Sequence, residues 1–240
     1  MKKILSTTAI AGSLCLLGTS AFAQFSGPYA GISVSSAGFA VDASKTNSNT
    51  ASTGSGDGPV GAVFPLAAFD IGYSIPTGKG SSVAIGATYT PLKADFSGKT
   101  NDTRTEATGS GTRTSTSHTF EIKDAYSIYL QPTFEINKDA AFFIKGFYSK
   151  ADVSATNVAT QPGDLEGYGG SLGLRVMLTK DAFIQAEAAA TFYDSIRATA
   201  VSVGESQTGA AVAATSTSTR TITANDPTLI EGRITLGMKF

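Results

Sequence analysis

The chain is poor in the residues that most site chemistry needs. Its 240 residues include one cysteine, one histidine and no tryptophan. A single cysteine excludes an internal disulfide framework, and one histidine beside it speaks against a multi-ligand zinc centre. Charge is also scarce. Asp, Glu, Lys and Arg make up 15% of the residues, where soluble domains carry about a quarter. The 18 basic and 19 acidic side chains leave a net charge of −1, without the basic footprint of a nucleic-acid binder. Past the first two dozen residues no apolar run approaches the ~18 residues of a membrane helix. That excludes a helical bundle, but not a chain that crosses a membrane as strands, each with only a period-two pattern. Glycine is plentiful, with 26 residues, and 41% of the chain is hydrophobic.

The N-terminus reads as a secretory signal. Lys2 and Lys3 form a positive start, residues 4–18 are short and mostly apolar, and Ala21-Phe22-Ala23 gives the small-x-small cleavage pattern. Cleavage after Ala23 removes Cys15 with the signal, so residues 24–240 form one cysteine-free domain.

Period-two segments recur along that domain near 28–36, 65–75, 82–94, 120–136, 140–151, 165–178, 182–197 and 229–240. The number is even, as single-chain bacterial barrels require. In the last segment Ile230, Ile234, Leu236, Met238 and Phe240 share one phase, and Glu231, Arg233, Thr235 and Lys239 the other. A strand sends successive side chains to opposite faces, so one face is apolar and the other polar. Segments 120–136, 165–178 and 182–197 repeat the arrangement. Short connections fall at 76–81, 137–139 and 179–181. The last two share Lys-Asp-Ala followed by Phe, which predicts matching hairpin turns with the acidic residues binding local backbone. Long connections fall near 37–64, 95–119, 152–164 and 198–228. Such alternation predicts an eight-stranded antiparallel up-and-down transmembrane β-barrel, all-β, with tight turns at one end and long loops at the other.

With strand direction alternating from the turn end, Tyr89, Tyr126, Tyr148, Tyr168 and Phe192 fall near one rim. Tyr73, Phe134, Phe142 and Phe240 fall near the other. Two aromatic girdles facing outward are therefore expected. The polar phase would fill the lumen, where Asp70, Lys145, Arg175, Glu187, Glu231 and Arg233 sum to zero charge. A narrow, poorly hydrated lumen needs such charges paired, which predicts a plug. A ladder break or bulge is expected at Pro132, and Pro91 is expected at the outer end of its strand.

The long loops are Ser/Thr/Gly-rich, with twelve of the 23 residues in 97–119 being Ser or Thr. Such segments bury too little apolar area to order themselves, and their weak basicity speaks against heparin or nucleic-acid capture. His118, beside Ser115, Ser117 and Glu121, is the one imidazole base and the weak basis of an enzyme reading. No phosphate loop, metal cluster or cofactor motif is present, so no catalytic, cofactor or metal residue is assigned.

These features resemble the small eight-stranded outer-membrane barrels, the superfamily of opacity-type surface proteins and the outer membrane protein A barrel. Ile234, Leu236, Met238 and Phe240 match the group's C-terminal signature, which implies recognition by the outer-membrane assembly machinery. Gly27-Pro28-Tyr29-Ala30-Gly31 is similar to the start of its first strand. The resemblance implies a Gram-negative outer-membrane location in contact with lipid and lipopolysaccharide. It also implies a non-enzymatic surface role in antigenicity, adhesion or envelope integrity, through loops open to host or environmental ligands. A narrow porin-like channel is the alternative, and an outer-membrane enzyme a further one.

Overall fold

A computed structural model describes residues 25–49, 52–91, 94–98, 118–156, 158–203 and 217–240. The signal segment with Ala21 and Ala23, and most of 95–119 and 204–216, lie outside these residues. The strands are β1 (Gly27–Asn49), β2 (Ser52–Gly78), β3 (Ser81–Thr90), β4 (Ala94–Gly98), β5 (His118–Glu135), β6 (Ala140–Ala155), β7 (Leu165–Met177), β8 (Ala182–Tyr193), β9 (Ile196–Val203) and β10 (Thr217–Lys239). They make eight staves of a closed antiparallel barrel. β3 and β4 flank Pro91 and both pair with β5, while β8 and β9 flank Asp194 and Ser195 and both pair with β10. β1 closes the ring against β10, from Tyr29 opposite Lys239 to Ser48 opposite Thr219. The Phe240 amide also donates to the Pro28 carbonyl at 3.0 Å. Closure removes the free edges that an open sheet would expose.

Pro91 sits just past the end of β3, as expected. At Pro132 the β5–β6 ladder lapses between Leu130 and Thr133 but keeps its register. The lost donor is therefore absorbed as a gap and needs no bulge. One register shift lies at the turn end, between Pro76 and Gly78, and two lie toward the other rim. Asp124 (φ 49°) marks a register shift between β5 and β6, and Asp226 (φ 44°) lies beside one between β10 and β1. Aspartate tolerates this left-handed backbone better than most residues. Asp226 exchanges bonds with Ser195, its amide donating to Oγ at 3.0 Å and Oγ donating to its Oδ1 at 3.1 Å.

The two Lys-Asp-Ala turns match in bonding, and the residue before each supplies an acceptor that the acids were not needed to provide. Asn137 Oδ1 accepts from the amides of Asp139 and Ala140, both at 2.9 Å. Thr179 Oγ1 accepts from Asp181 and Ala182 at 3.3 and 3.0 Å. The residue before Lys-Asp-Ala bends the chain back, since its oxygen reaches the amides two and three positions on. Asn137→Ala and Thr179→Ala are each expected to cost roughly 1 kcal/mol. The midpoint of urea unfolding reads this, and two unchanged midpoints would show the turns to be held by the ladder alone.

The strands run further than the alternation suggested. β1 and β2 continue as a hairpin to Asn49 opposite Ser52, inside the expected loop 37–64. β9 and β10 pair from Ala224–Ile196 to Thr217–Val203, inside the expected loop 198–228. Four strands in the order β2, β1, β10, β9 thus carry the wall beyond one rim on one side. Thr and Val suit an extended backbone, and an existing strand supplies the hydrogen-bond partners.

Candidate functional site

The barrel is apolar outside and charged inside. Ile32, Val34, Ile71, Ile128, Leu130, Leu172, Leu174, Ile230 and Ile234 are all at least half exposed on the outer wall. Asp70, Lys145, Arg175, Glu187 and Glu231 are buried within. Alternation alone produces this sorting: Phe134 and Ile136 face out, Thr133 and Glu135 face in.

Cross-strand register joins most of the outward rings into a row near one rim. Phe69 lies opposite Tyr89, and Tyr89 opposite Tyr126. Ile128 then leads to Tyr148, Tyr148 to Tyr168, and Tyr168 to Phe192. Tyr148 and Tyr168 touch, with ring centroids 5.3 Å apart. Phe69 was not singled out from sequence, although it shares the phase of Ile71 and Tyr73. At the turn end Phe134 lies opposite Phe142, with Tyr73 and Phe240 exposed at 53% and 76%. Ile234, Leu236 and Met238 lie on the same outer face as Phe240.

Five of the six lumen charges meet at mid-barrel, and Arg175, nearer the turn end, joins them through Gln185. Lys145 Nζ donates to Glu187 Oε2 at 2.8 Å, and Gln185 Nε2 donates to the same oxygen at 2.8 Å. Arg175 Nε donates to Gln185 Oε1 at 2.9 Å. Arg233 forms a two-pronged pair with Glu231, both bonds at 3.0 Å. It also lies 3.8 Å from Asp70 and directly opposite Glu187 across the β8–β10 ladder. Asp70 accepts from Thr88 at 2.6 Å and from Ser33 at 3.1 Å. The layer is not three simple pairs. Arg175 has no carboxylate partner among the described residues; its guanidinium lies 4.8 Å from the Tyr29 ring and 4.4 Å from the Phe183 ring. A guanidinium is weakly hydrated and stacks on aromatic faces, so burial there is tolerable. Lys145 similarly lies 4.6 Å from the Tyr129 ring, and Tyr129 and Tyr29 share a hydroxyl–hydroxyl bond of 2.9 Å.

The lumen is not polar throughout, which corrects the expectation of a uniformly polar filling, although Ser74, Ser82 and Thr133 are buried near the turn end. Phe25, Tyr29, Ala84, Ala141, Met177 and Phe183 form an apolar cluster at the turn end. Phe39, Ala151, Val153, Leu165 and Tyr193 form another toward the far end. Apolar residues at both ends lower the local dielectric around the charges, which strengthens the pairings between them.

Six inward rings share a further device. Tyr29, Tyr129, Phe143, Phe147, Phe183 and Tyr193 each lie directly opposite a glycine: Gly72, Gly86, Gly173, Gly169, Gly237 and Gly167. At each of these glycines an added Cβ would overlap the ring. The ring covers the bare backbone, and the glycine makes room for the ring inside a narrow barrel. It accounts for six of the 26 glycines.

The side chain of His118 lies outside the described residues. What the described interior offers chemically is a set of mutually neutralised charges behind apolar layers.

A closed eight-stranded antiparallel barrel, apolar outside and charge-paired inside, resembles the outer-membrane class of β-barrel. No family model matches the chain, and no curated protein does. Among solved structures it is similar to Ail, the attachment invasion locus protein of Yersinia pestis, at 13% identity over 88% of this chain and 99% of that one, TM-score 0.40. Ail has also been solved with the heparin analogue sucrose octasulfate. Neisserial surface protein A is similar at 12% identity over 87% and 97%, TM-score 0.36. The outer membrane protease OmpT of Escherichia coli is similar at 10% identity over 92% and 99%, TM-score 0.44. These likenesses concern the fold alone.

Proposed function

We propose that the chain is a non-enzymatic outer-membrane surface protein whose sealed barrel holds extended hairpins outside the cell. The observation that carries this is the outer wall. An apolar band lies between two sets of aromatic residues, as a lipid bilayer with two interfaces demands. In this reading the Phe69–Phe192 row meets the lipopolysaccharide leaflet, and Tyr73, Phe134, Phe142 and Phe240 meet the periplasmic one. Ile234, Leu236, Met238 and Phe240 are the assembly signal, and residues 1–23 are removed on export. The hairpin β1–β2 and the strands β9 and β10 present polar residues to host or environmental ligands. Rigid attachment at one rim favours recognition by such segments. The paired charges and two apolar layers favour a plug over a narrow solute channel.

Membrane fractionation with an unheated-versus-heated gel tests the placement. The expected result is an outer-membrane protein that migrates faster unheated; a freely soluble periplasmic product would overturn it. Planar-bilayer recording tests the plug. Silence is expected, and reproducible single-channel steps that change in Arg175 or Glu187 variants would establish the channel instead.

A further inference from the structure

Arg175 is the buried cation that the lumen network leaves without an acid. It is 4% exposed. Its Nε donates to Gln185 Oε1 at 2.9 Å, and the guanidinium makes no other hydrogen bond among the described residues. The Tyr29 and Phe183 rings lie against it. Ring faces offset part of the cost of burying a cation, but they give Nη1 and Nη2 no oxygen to donate to. Glu135 stands at the same level, since Glu135 lies opposite Ala141 and Ala141 opposite Arg175. It is two strands away, however, and no ion pair joins the two among the described residues. Arg175 instead lines a cavity of about 10 Å³ at the turn end of the barrel. Phe25, Tyr29, Met177 and Phe183 form the walls, and Lys239, directly opposite Tyr29 in the β1–β10 ladder, stands at the edge. The lining thus holds two cations and no acidic side chain. The chain before Phe25 contains no Asp or Glu that could supply one.

Charge, size and wall chemistry define what fits. Two cations without an acid favour an anion, because a buried charge gains most from a counter-charge in contact with it. A space this small holds one water-sized body, which excludes sulfate, phosphate and carboxylates. Lys239 is only half-buried, and its flexible stem can yield the few tenths of an ångström by which chloride exceeds water in radius. The largely apolar walls offer little to replace a hydration shell, which selects against a strongly hydrated ion such as fluoride. We propose that this cavity is a binding site for one small monovalent anion of the chloride type. The anion accepts from the Arg175 Nη groups, with Lys239 as the second positive group. It supplies the acceptor that the lumen carboxylates do not, and the low dielectric of the walls strengthens the attraction. The proposal concerns the turn end of the lumen alone, so its failure leaves the surface-display reading standing.

The probe is chloride itself, followed by the broadening of its NMR line in the presence of the purified full-length protein in a neutral detergent. Sodium gluconate holds the ionic strength constant, so that screening does not change along the titration. The expected result is excess broadening that saturates at one site, is displaced by bromide, and is not displaced by sulfate at equal ionic strength. Arg175→Gln, which keeps a polar side chain and removes the charge, should abolish the saturable part. Lys239→Gln should weaken binding about tenfold. Each variant is first checked for the compact band on an unheated gel. If Arg175→Gln loses that band, the Lys239→Gln titration decides. Broadening that never saturates would mean that water fills the cavity. That result, displacement by sulfate as effective as by bromide, or saturable broadening unchanged in the folded variants would each overturn the proposal.

Discussion

Glu187→Leu is expected to destabilise the barrel by about 3–5 kcal/mol, the cost of leaving a buried partner charge uncompensated. Lys145 donates to Glu187 at 2.8 Å with a side chain only 4% exposed, and Gln185 loses the same acceptor. Arg233 loses its cross-strand counter-charge as well. The double variant Lys145→Met/Glu187→Leu should recover most of the loss, because a matched pair replaced by apolar residues of similar size is often neutral. The chain has no tryptophan, so unfolding in urea is followed by circular dichroism and by the mobility of the unheated band. A single variant within about 1 kcal/mol of the parent would mean that water solvates the layer and that the apolar clusters do not seal it.

Gly237→Ala is the second. The three atoms nearest an added Cβ at this position all belong to the Phe183 ring. That ring is 3% exposed, packs edge-on to Tyr29 with centroids 6.0 Å apart, and faces Arg175. It has no free direction in which to yield. Overpacking costs about 1–3 kcal/mol, and here the displaced ring also disturbs the cation beneath it. Phe183→Ala alone should cost about 3–5 kcal/mol as a cavity. In the double variant the new methyl occupies vacated space, so the combined loss should be smaller than the two single losses added. Strict additivity in urea titrations would show that the ring does not rest on the glycine. Gly173 makes a useful contrast, because an added Cβ there meets the Ala186 carbonyl as well as Phe143, and removing the ring should rescue it less.

These two sites divide what the sequence discloses from what it withholds. The outward phase of β5, β7, β8 and β10 was legible residue by residue, because lipid-facing and inward positions alternate without exception over Tyr126–Ile136 or Ile230–Phe240. The same alternation put all six ionisable residues inside. It could not say that Lys145 meets Glu187, which lies 42 positions away, since pairing depends on register across β6, β7 and β8. The apolar ends of the lumen were hidden for a related reason. Phe143, Met177, Phe183 and Tyr193 occupy the polar phase and read as lapses in the pattern until the strands are laid side by side. The glycines opposite the inward rings carry the same information and are equally mute in one dimension. The extended hairpins were missed because both of their faces are Ser/Thr-rich, so no alternation marks them as strands.

Closure of β1 against β10 also bears on how the protein comes to exist. The first stave finds its second neighbour only when the last is available, so no leading portion of the chain can form the closed ring. Long-range pairing of this kind makes folding slow and leaves unpaired edges exposed meanwhile. An apolar outer face that is harmless in a membrane is an aggregation surface in water. If the chain is an outer-membrane protein as proposed, it needs protection from aggregation for as long as β1 and β10 remain apart, and the rate of ring closure bears on its yield as well as its final stability.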